Sequence, residues 1–287
     1  MAEALAYGKI NLTLDILRRR EDGYHDMRMV MQSVGLCDRL SIRTGAGDGV
    51  QIDSNLSYLP ADRRNIAAKA AAVFFAETGI APVGLDVALE KHIPVCAGMA
   101  GGSSDGAAML RFLRDTLAPE LSREDLERIG ALVGSDVPFC LRGGTALAEG
   151  RGEILTDLPP LPECAIVLCK PDFPISTPEL FASVQVRRLR CRPDTAGMQA
   201  ALAAGDLIGV ARRLYNVFED VLPRKYRRVF ELKHALLELD ALGACMTGSG
   251  PTVFGLYGDR RRAAEAVEAL RAQGELAFLT EPVPCQR

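Results

Sequence analysis

Apolar and polar positions change period several times along this chain, and each change predicts an element. Residues 10–17, "INLTLDIL", alternate in the two-residue period of a half-buried strand. A polar stretch with the turn pair Asp22-Gly23 follows. "LSIRT" and "VQIDS" read as short strands around the glycine-rich turn "GAGDG" at 45–49. "RNIAAKAAAVFFAETG" predicts a helix from its alanines, with Gly79 where a C-terminal cap belongs. "VGLDVALEKHIP" alternates again. "SDGAAMLRFLRDTL" and "SREDLERIGALVG" have helical spacing, the second with Ser122 as cap and Asp125 reaching back. "GGTALAEGRGEILTDL" predicts two strands about a turn, and "PPLPE" at 159–163 predicts a linker.

Beyond the linker, "CAIVLCKP" has the continuous apolar pattern of a buried strand. "TPELFASV" predicts a helix capped by Thr177 with Pro178 at its first position. Helices are expected over 197–241. "ACMTGSGPTVFGLYG" is an apolar stretch broken by glycines, "DRRRAAEAVEALRAQG" an amphipathic helix and "LAFLTEPV" a last strand. The rhythm is not a regular βαβ repeat, so the expected class is α+β, divided at the linker into 1–158 and 159–287.

Composition narrows the function. The 287 residues are 48% hydrophobic and 25% charged, with a formal net charge of -3, which gives no overall bias toward nucleic acid. No apolar run reaches membrane-spanning length, and the N-terminus lacks the pattern of a secretion signal. Eight cysteines without a CxxC pair, mostly in apolar company, point to reduced thiols in a cytoplasm. Three histidines, His25, His92 and His234, lie too far apart for a metal motif.

The candidate chemistry starts in "PVCAGMAGGSSDGAAML", residues 94–110. Gly98 and Ala100 to Ser104 are six small residues in seven, set just before a helix. Helix N-termini bind phosphate through outward N–H groups and a positive dipole, and small residues let backbone approach closely. Ser103 and Ser104 add hydroxyl donors or metal ligands. The segment lacks the Gly-Lys-Ser/Thr ending of a P-loop and the GxGxxG of a dinucleotide fold. A lone Gly-Gly-Ser would be explained by tight packing; this density points to a triphosphate. A second cluster, "MTGSGPTVF" at 246–254, reads as a hairpin turn or as an anion nest. Asp136, in "VGSDVPFCLRGG", reads as a helix cap or a paired structural charge, or as a base or charge that orients a hydroxyl. Lys9, in "AYGKINL", reads as an edge lysine or as a cation that assists a reacting hydroxyl or a phosphate.

Taken together, "AYGKINLTLDI", "PVCAGMAGGSSDGA" and "MTGSGPTVF" resemble, in order, the three motifs of the GHMP small-molecule kinases. "DGYH" and "GSDVPF" narrow the resemblance to the branch that phosphorylates the 2-hydroxyl of a cytidine diphosphate-linked methylerythritol, on the non-mevalonate route to isoprenoid precursors. It runs from residue 6 to about the last strand. The resemblance implies a two-domain GHMP kinase fold: an N-terminal ribosomal-protein-like α/β domain, a C-terminal ferredoxin-like domain, and a cleft between them. It implies ATP and Mg²⁺, a small-molecule cytidine diphosphate substrate, neither nucleic acid nor membrane as partner, and a cytoplasmic monomer or homodimer.

Position by position, it implies Lys9 and Asp136 as catalytic residues. ATP is expected along Pro94, Val95, Cys96, Ala97, Gly98, Met99, Ala100, Gly101, Gly102, Ser103 and Ser104, with Asn65 near the adenine and Lys91 just before the loop. The acceptor is expected at Asn11, on the same strand face as Lys9, at Tyr24 and His25 for the cytosine, at Thr177 and Phe181, and at Gly248, Ser249 and Gly250. No carboxylate cage for the metal is visible, which leaves phosphates, water and Ser103 to hold it. Tyr7 and Gly8 depart from the usual Pro-Ala of the first motif. Cys96, Met99 and Ala100 stand where glycine or leucine is common, and Ala100 resists positive φ, which predicts a reshaped loop. The alternatives are another GHMP kinase, for homoserine or mevalonate, and a non-catalytic nucleotide-binding regulator; the pairing of Lys9 with Asp136 argues against the latter.

Overall fold

The alternating stretch at 10–17 is the middle of a much longer strand. In the computed structural model, which describes residues 2–45, 47, 49–189 and 191–285, β1 runs Ala2–Arg19 and pairs antiparallel with β2, His25–Gly45. "LSIRT" is only the end of β2. The segment before it does not alternate because Val30, Met31, Gln32, Ser33 and Val34 are all buried. Register shifts fall between Tyr7 and Gly8 and between Asn11 and Thr13, flanking the Lys9 stretch; such bulges re-aim side chains.

β3 (Val50–Ser54) follows; of the turn expected at 45–49, residues 46 and 48 lie outside the described ones. α1 (Ile66–Thr78) starts at Asn65, whose side chain accepts from the Ala67 amide, and stops at Gly79 with φ 71°. β4 (Gly84–Glu90) leads through the glycine loop into α2 (Gly101–Leu117), then α3 (Arg123–Val133), capped by Ser122, and α4 (Val137–Arg142). β5 (Thr145–Gly150) and β6 (Ile154–Asp157) form the expected hairpin. These strands make one sheet with path β3-β4-β2-β1, β5 pairing the far half of β2. Helices α1 to α4 cover one face through Phe74, Leu110, Leu113 and Leu141.

Beyond the prolines come β7 (Ala165–Lys170), α5 (Thr177–Ser183), α6 (Thr195–Ala203), α7 (Leu207–Ala211), the two-residue β8 (Tyr215–Asn216) and α8 (Arg228–Glu238). The helical expectation for 197–241 is thus interrupted by β8, which pairs parallel with β1 at Thr13 and Leu14. The cap of α5 is Ser176, which accepts from the Glu179 amide, and not Thr177; Pro178 then occupies the second helical position. β9 (Gly243–Met246), β10 (Val253–Tyr257), α9 (Arg260–Ala272) and β11 (Leu276–Thr280) complete an antiparallel sheet of order β11-β7-β10-β9. With α8 and α9 this is the split βαβ arrangement of ferredoxin-like folds. Ile10 and Leu12 of β1 share a buried cluster with Phe254 and Leu256 of β10, so the two sheets are joined through packed side chains.

Candidate active site

A cleft of about 1330 Å³ gathers residues from both sheets. That is large for a single small-ligand pocket, which typically spans about 300–1,000 Å³, and suits two substrates meeting.

The glycine loop forms one wall. It takes left-handed backbone at Cys96 (φ 54°), Gly98 (φ 73°) and Ala100 (φ 58°). Ala100 is the residue preceding α2 and offers no side-chain cap, so the free amides of the first turn face outward beside the exposed Gly102. The resistance of alanine to positive φ is thus overcome by its surroundings rather than avoided. Lys91, just before the loop, is buried, with its Nζ bonded to Asp38 and, at 2.7 Å, to Asp105. Burial works against its charge, and the two carboxylates more than offset this, holding its pKa above the ordinary value. Burial pushes the Asp105 carboxyl above its ordinary value, Lys91 opposing and Asp38 adding to the rise. Asp105 Oδ1 is buried without a hydrogen-bond partner among the described residues.

Strand β1 supplies the cation. The Lys9 amide donates to the Met99 carbonyl (3.1 Å), which ties the strand to the loop, and Lys9 Nζ donates to Asn11 Oδ1 at 2.8 Å. Asn11 Oδ1 also accepts from the Gly248 amide at 3.0 Å. Thr247 Oγ1 accepts from the Asn11 amide (3.2 Å) and lies 3.3 Å from the Gly98 carbonyl oxygen. Asn216 of β8 braces the second glycine loop from behind, donating to the carbonyls of Met246 and Gly248, both at 2.8 Å. The segment 247–252 is the β9–β10 turn of its hairpin reading, and Gly248, Ser249 and Gly250 in it line the cleft.

Asp136 precedes α4 and faces the cleft, half-buried, and its carboxylate makes no capping bond. Asp136 thus holds the N-cap position of α4, as one of its sequence readings expects, without spending its side chain there, which leaves the carboxylate available to a ligand. The β5–β6 turn lies over it: a Cβ on Gly152 would sit 3.9 Å from Asp136 Oδ1. Arg151 in that turn places its guanidinium 5.2 Å from the centre of the Tyr24 ring. At the far end His25 stacks on Phe181 (5.1 Å), which meets Phe218 edge-on (4.9 Å). Burial, and then Arg19, push the His25 pKa below its ordinary value. Thr177 and Ser249 hydroxyls meet at 2.6 Å across the mouth.

Most residues picked from the sequence line this one cleft: Lys9, Tyr24, His25, Asn65, Lys91, Pro94 to Gly98, Ala100 to Ser103, Asp136, Thr177, Phe181 and Gly248 to Gly250. Three do not. Asn11 is fully buried and spends its side chain on Lys9 and Gly248. Met99 turns its side chain into the core. Ser104 points inward and donates to the Tyr7 carbonyl at 2.5 Å, because one residue of helix turns a side chain by about 100°. Of Asp38, Asp105, Arg151 and Phe218, the sequence marks Asp105 only by its place in the glycine-serine motif and Arg151 only by its "GRG" setting, and it gives no sign of Asp38 or Phe218.

These features, a lysine strand and two glycine loops around one cleft, define a GHMP kinase. Residues 65–144 match the GHMP kinases N terminal domain and residues 198–276 the GHMP kinases C terminal description. Proteins named 4-diphosphocytidyl-2-C-methyl-D-erythritol kinase from Clostridium kluyveri and Clostridium botulinum are each 40% identical over 97% of this chain and 99% of their own. A crystal structure of 4-(cytidine 5'-diphospho)-2C-methyl-D-erythritol kinase superposes with a TM-score of 0.83 at 32% identity, covering 98% of this chain and 99% of that one. The L. major mevalonate kinase structure shares the fold, with a TM-score of 0.77 at 18% identity over 99% of this chain and 96% of its own. The chain belongs to the 4-diphosphocytidyl-2-C-methyl-D-erythritol kinase family. It has the two-domain GHMP kinase fold expected from the sequence, and it is an ATP-dependent small-molecule kinase.

Proposed function

We propose that this kinase transfers the γ-phosphoryl group of ATP to the 2-hydroxyl of 4-diphosphocytidyl-2-C-methyl-D-erythritol, giving the 2-phosphate and ADP in the non-mevalonate route to isoprenoid precursors. The observation that carries the reading is the shared cleft: the phosphate loop, Lys9 and Asp136 open onto the same space as Tyr24, His25 and Phe181. The aromatic end suits a cytosine, which needs a ring face and polar partners for its edge. The α2 end, with Asn65 at the start of α1, suits ATP. Arg151, in the turn over Asp136 with its guanidinium beside Tyr24, suits the acceptor's diphosphate.

Asp136 accepts the proton of the 2-hydroxyl as its oxygen attacks the γ-phosphorus. The new O–P bond forms, the bond to the ADP oxygen breaks, and ADP carries away that electron pair. Lys9, held by Asn11, offsets negative charge near the transferring group. Phosphoryl transfer asks chiefly for such positioning and electrostatics. Among the described residues no three His, Cys, Asp or Glu side chains gather as a metal cage. The donors present fit a Mg²⁺ carried by the phosphates, with the Ser103 hydroxyl as the protein oxygen, and such an ion would neutralise phosphate charge.

We place the domain division at 158/159, where the prolines of 159–162 stand between β6 and β7. The net charge of -3 favours a small molecule over nucleic acid. No helix among the described residues is long and apolar enough to cross a membrane. A cleft complete within one chain fits a cytoplasmic monomer or homodimer. The test is turnover with ATP and the cytidine diphosphate acceptor beside homoserine and mevalonate. Phosphorylation of the first alone is expected; equal rates with either of the others would sink the assignment.

A further inference from the structure

A buried set of three charged side chains joins the two ends of the phosphate loop, and direct contact with phosphate does not explain it. Asp38, on β2, accepts from the amides of His92 (2.6 Å) and Ile93 (2.8 Å) where the loop begins. Its other oxygen binds Lys91 Nζ, which donates again to Asp105 in the first turns of α2, where the loop ends. All three side chains are at least 95% buried. A Cβ on Gly101 would lie 3.4 Å from Lys91 Nζ, so the ammonium sits directly beneath the first residue of α2.

Between the two anchored ends the backbone is left-handed three times, and two of those residues, Cys96 and Ala100, carry a Cβ. Such conformations persist only where the surroundings over-determine them. Burying one lysine with two carboxylates is itself costly, and apolar residues often serve stability as well. The arrangement therefore calls for a purpose other than stability.

We propose that Lys91 is a positioning residue: with Asp38 and Asp105 it staples the loop at both ends and holds it in its nucleotide-receiving shape before nucleotide arrives. The proposal rests on reading this loop as the ATP site. Lys91 acts through the loop, since its ammonium is already committed to two carboxylates.

The test is Asp105→Ala in the full chain, which releases the α2 end and keeps the Asp38–Lys91 pair. The KM for ATP is expected to rise at least tenfold while the KM for the acceptor stays within twofold. Amides of 92–104 should exchange hydrogen faster in the nucleotide-free variant. Adding Ala100→Gly should recover most of the loss, because glycine takes the left-handed conformation without a Cβ penalty. A lowered Tm with unchanged KM for ATP, or a raised KM that Ala100→Gly leaves untouched, overturns the proposal. If Asp105→Ala does not fold, Asp105→Glu keeps the charge but displaces the ammonium, and its KM for ATP must rise at least threefold; no rise overturns the staple. Failure of the wild-type protein to saturate with ATP would instead sink the site reading, and hydrogen exchange reads the staple without turnover.

Discussion

Gly98 and Gly248 lie back to back. A Cβ on Gly98 would come within 2.3 Å of the Thr247 carbonyl oxygen, and one on Gly248 within 2.6 Å of the Gly98 carbonyl oxygen. Both residues have positive φ. The two glycine clusters, 150 residues apart in number, are thus one composite wall, and Asn11 and Thr247 lace it with hydrogen bonds. The loop assigned to ATP and the loop assigned to the acceptor cannot shift independently without breaking these contacts.

Gly248→Ala is expected to damage both substrate sites at once. The backbone is strained and blocked on the same atom, which costs on the order of 1–3 kcal/mol. The measurement is a thermal melt with both KM values. A rise in only one KM would show that the loops are uncoupled.

Asp136→Asn separates catalysis from folding. The carboxylate makes no capping bond, so Tm should stay within about 2 °C of the wild type. Loss of a positioned base lowers rates by roughly 10²–10⁴-fold, and kcat should fall in that range with little change in the KM for ATP. A near-normal kcat would remove Asp136 from the mechanism.

Adjacent serines should behave oppositely. Ser103 faces the cleft, whereas Ser104 donates to the Tyr7 carbonyl inside the core. Ser103→Ala is expected to raise the KM for ATP several-fold with Tm unchanged. Ser104→Ala should lower stability by about 1 kcal/mol and leave the KM for ATP within twofold. Paired melts and kinetics on the two variants check this, and the reverse pattern would reassign the phosphate donor.

This serine pair also marks what the sequence could convey. Small residues before an apolar helical pattern marked a loop whose backbone lies open to a cleft, because small side chains let other groups approach the backbone closely. Which hydroxyl faces the ligand depends on the helix's rotation against β1, which spacing does not carry. The long β2 was hidden for a related reason: with both faces buried through Val30 to Val34, no alternation was left to see. Asp38 and Lys91 are 53 residues apart, and only the pairing of β2 with β4 brings them together. In the sequence Arg151 is one turn residue among several; only the fold lays its guanidinium over the Tyr24 ring.

His25 should make acceptor binding sensitive to acid. Burial and the neighbouring Arg19 lower its folded-state pKa, so the folded protein favours the neutral imidazole, with one donor and one acceptor nitrogen for a cytosine edge. The unfolded chain takes up this proton near pH 6.5, roughly the free histidine value, and the folded chain only at lower pH. This contribution to stability is therefore fully present above about pH 6.5 and is lost as pH falls from there through the folded value. As pH falls through the folded value the KM for the acceptor should rise while the KM for ATP stays flat, because His25 stands with Tyr24 and Phe181 at the aromatic end of the cleft. Arg19→Gln removes the neighbouring charge and should move the rise to higher pH. His25→Asn should abolish the pH dependence at the cost of a constant, weaker affinity. A profile for His25→Asn that still bends like the wild type would place the titrating group elsewhere.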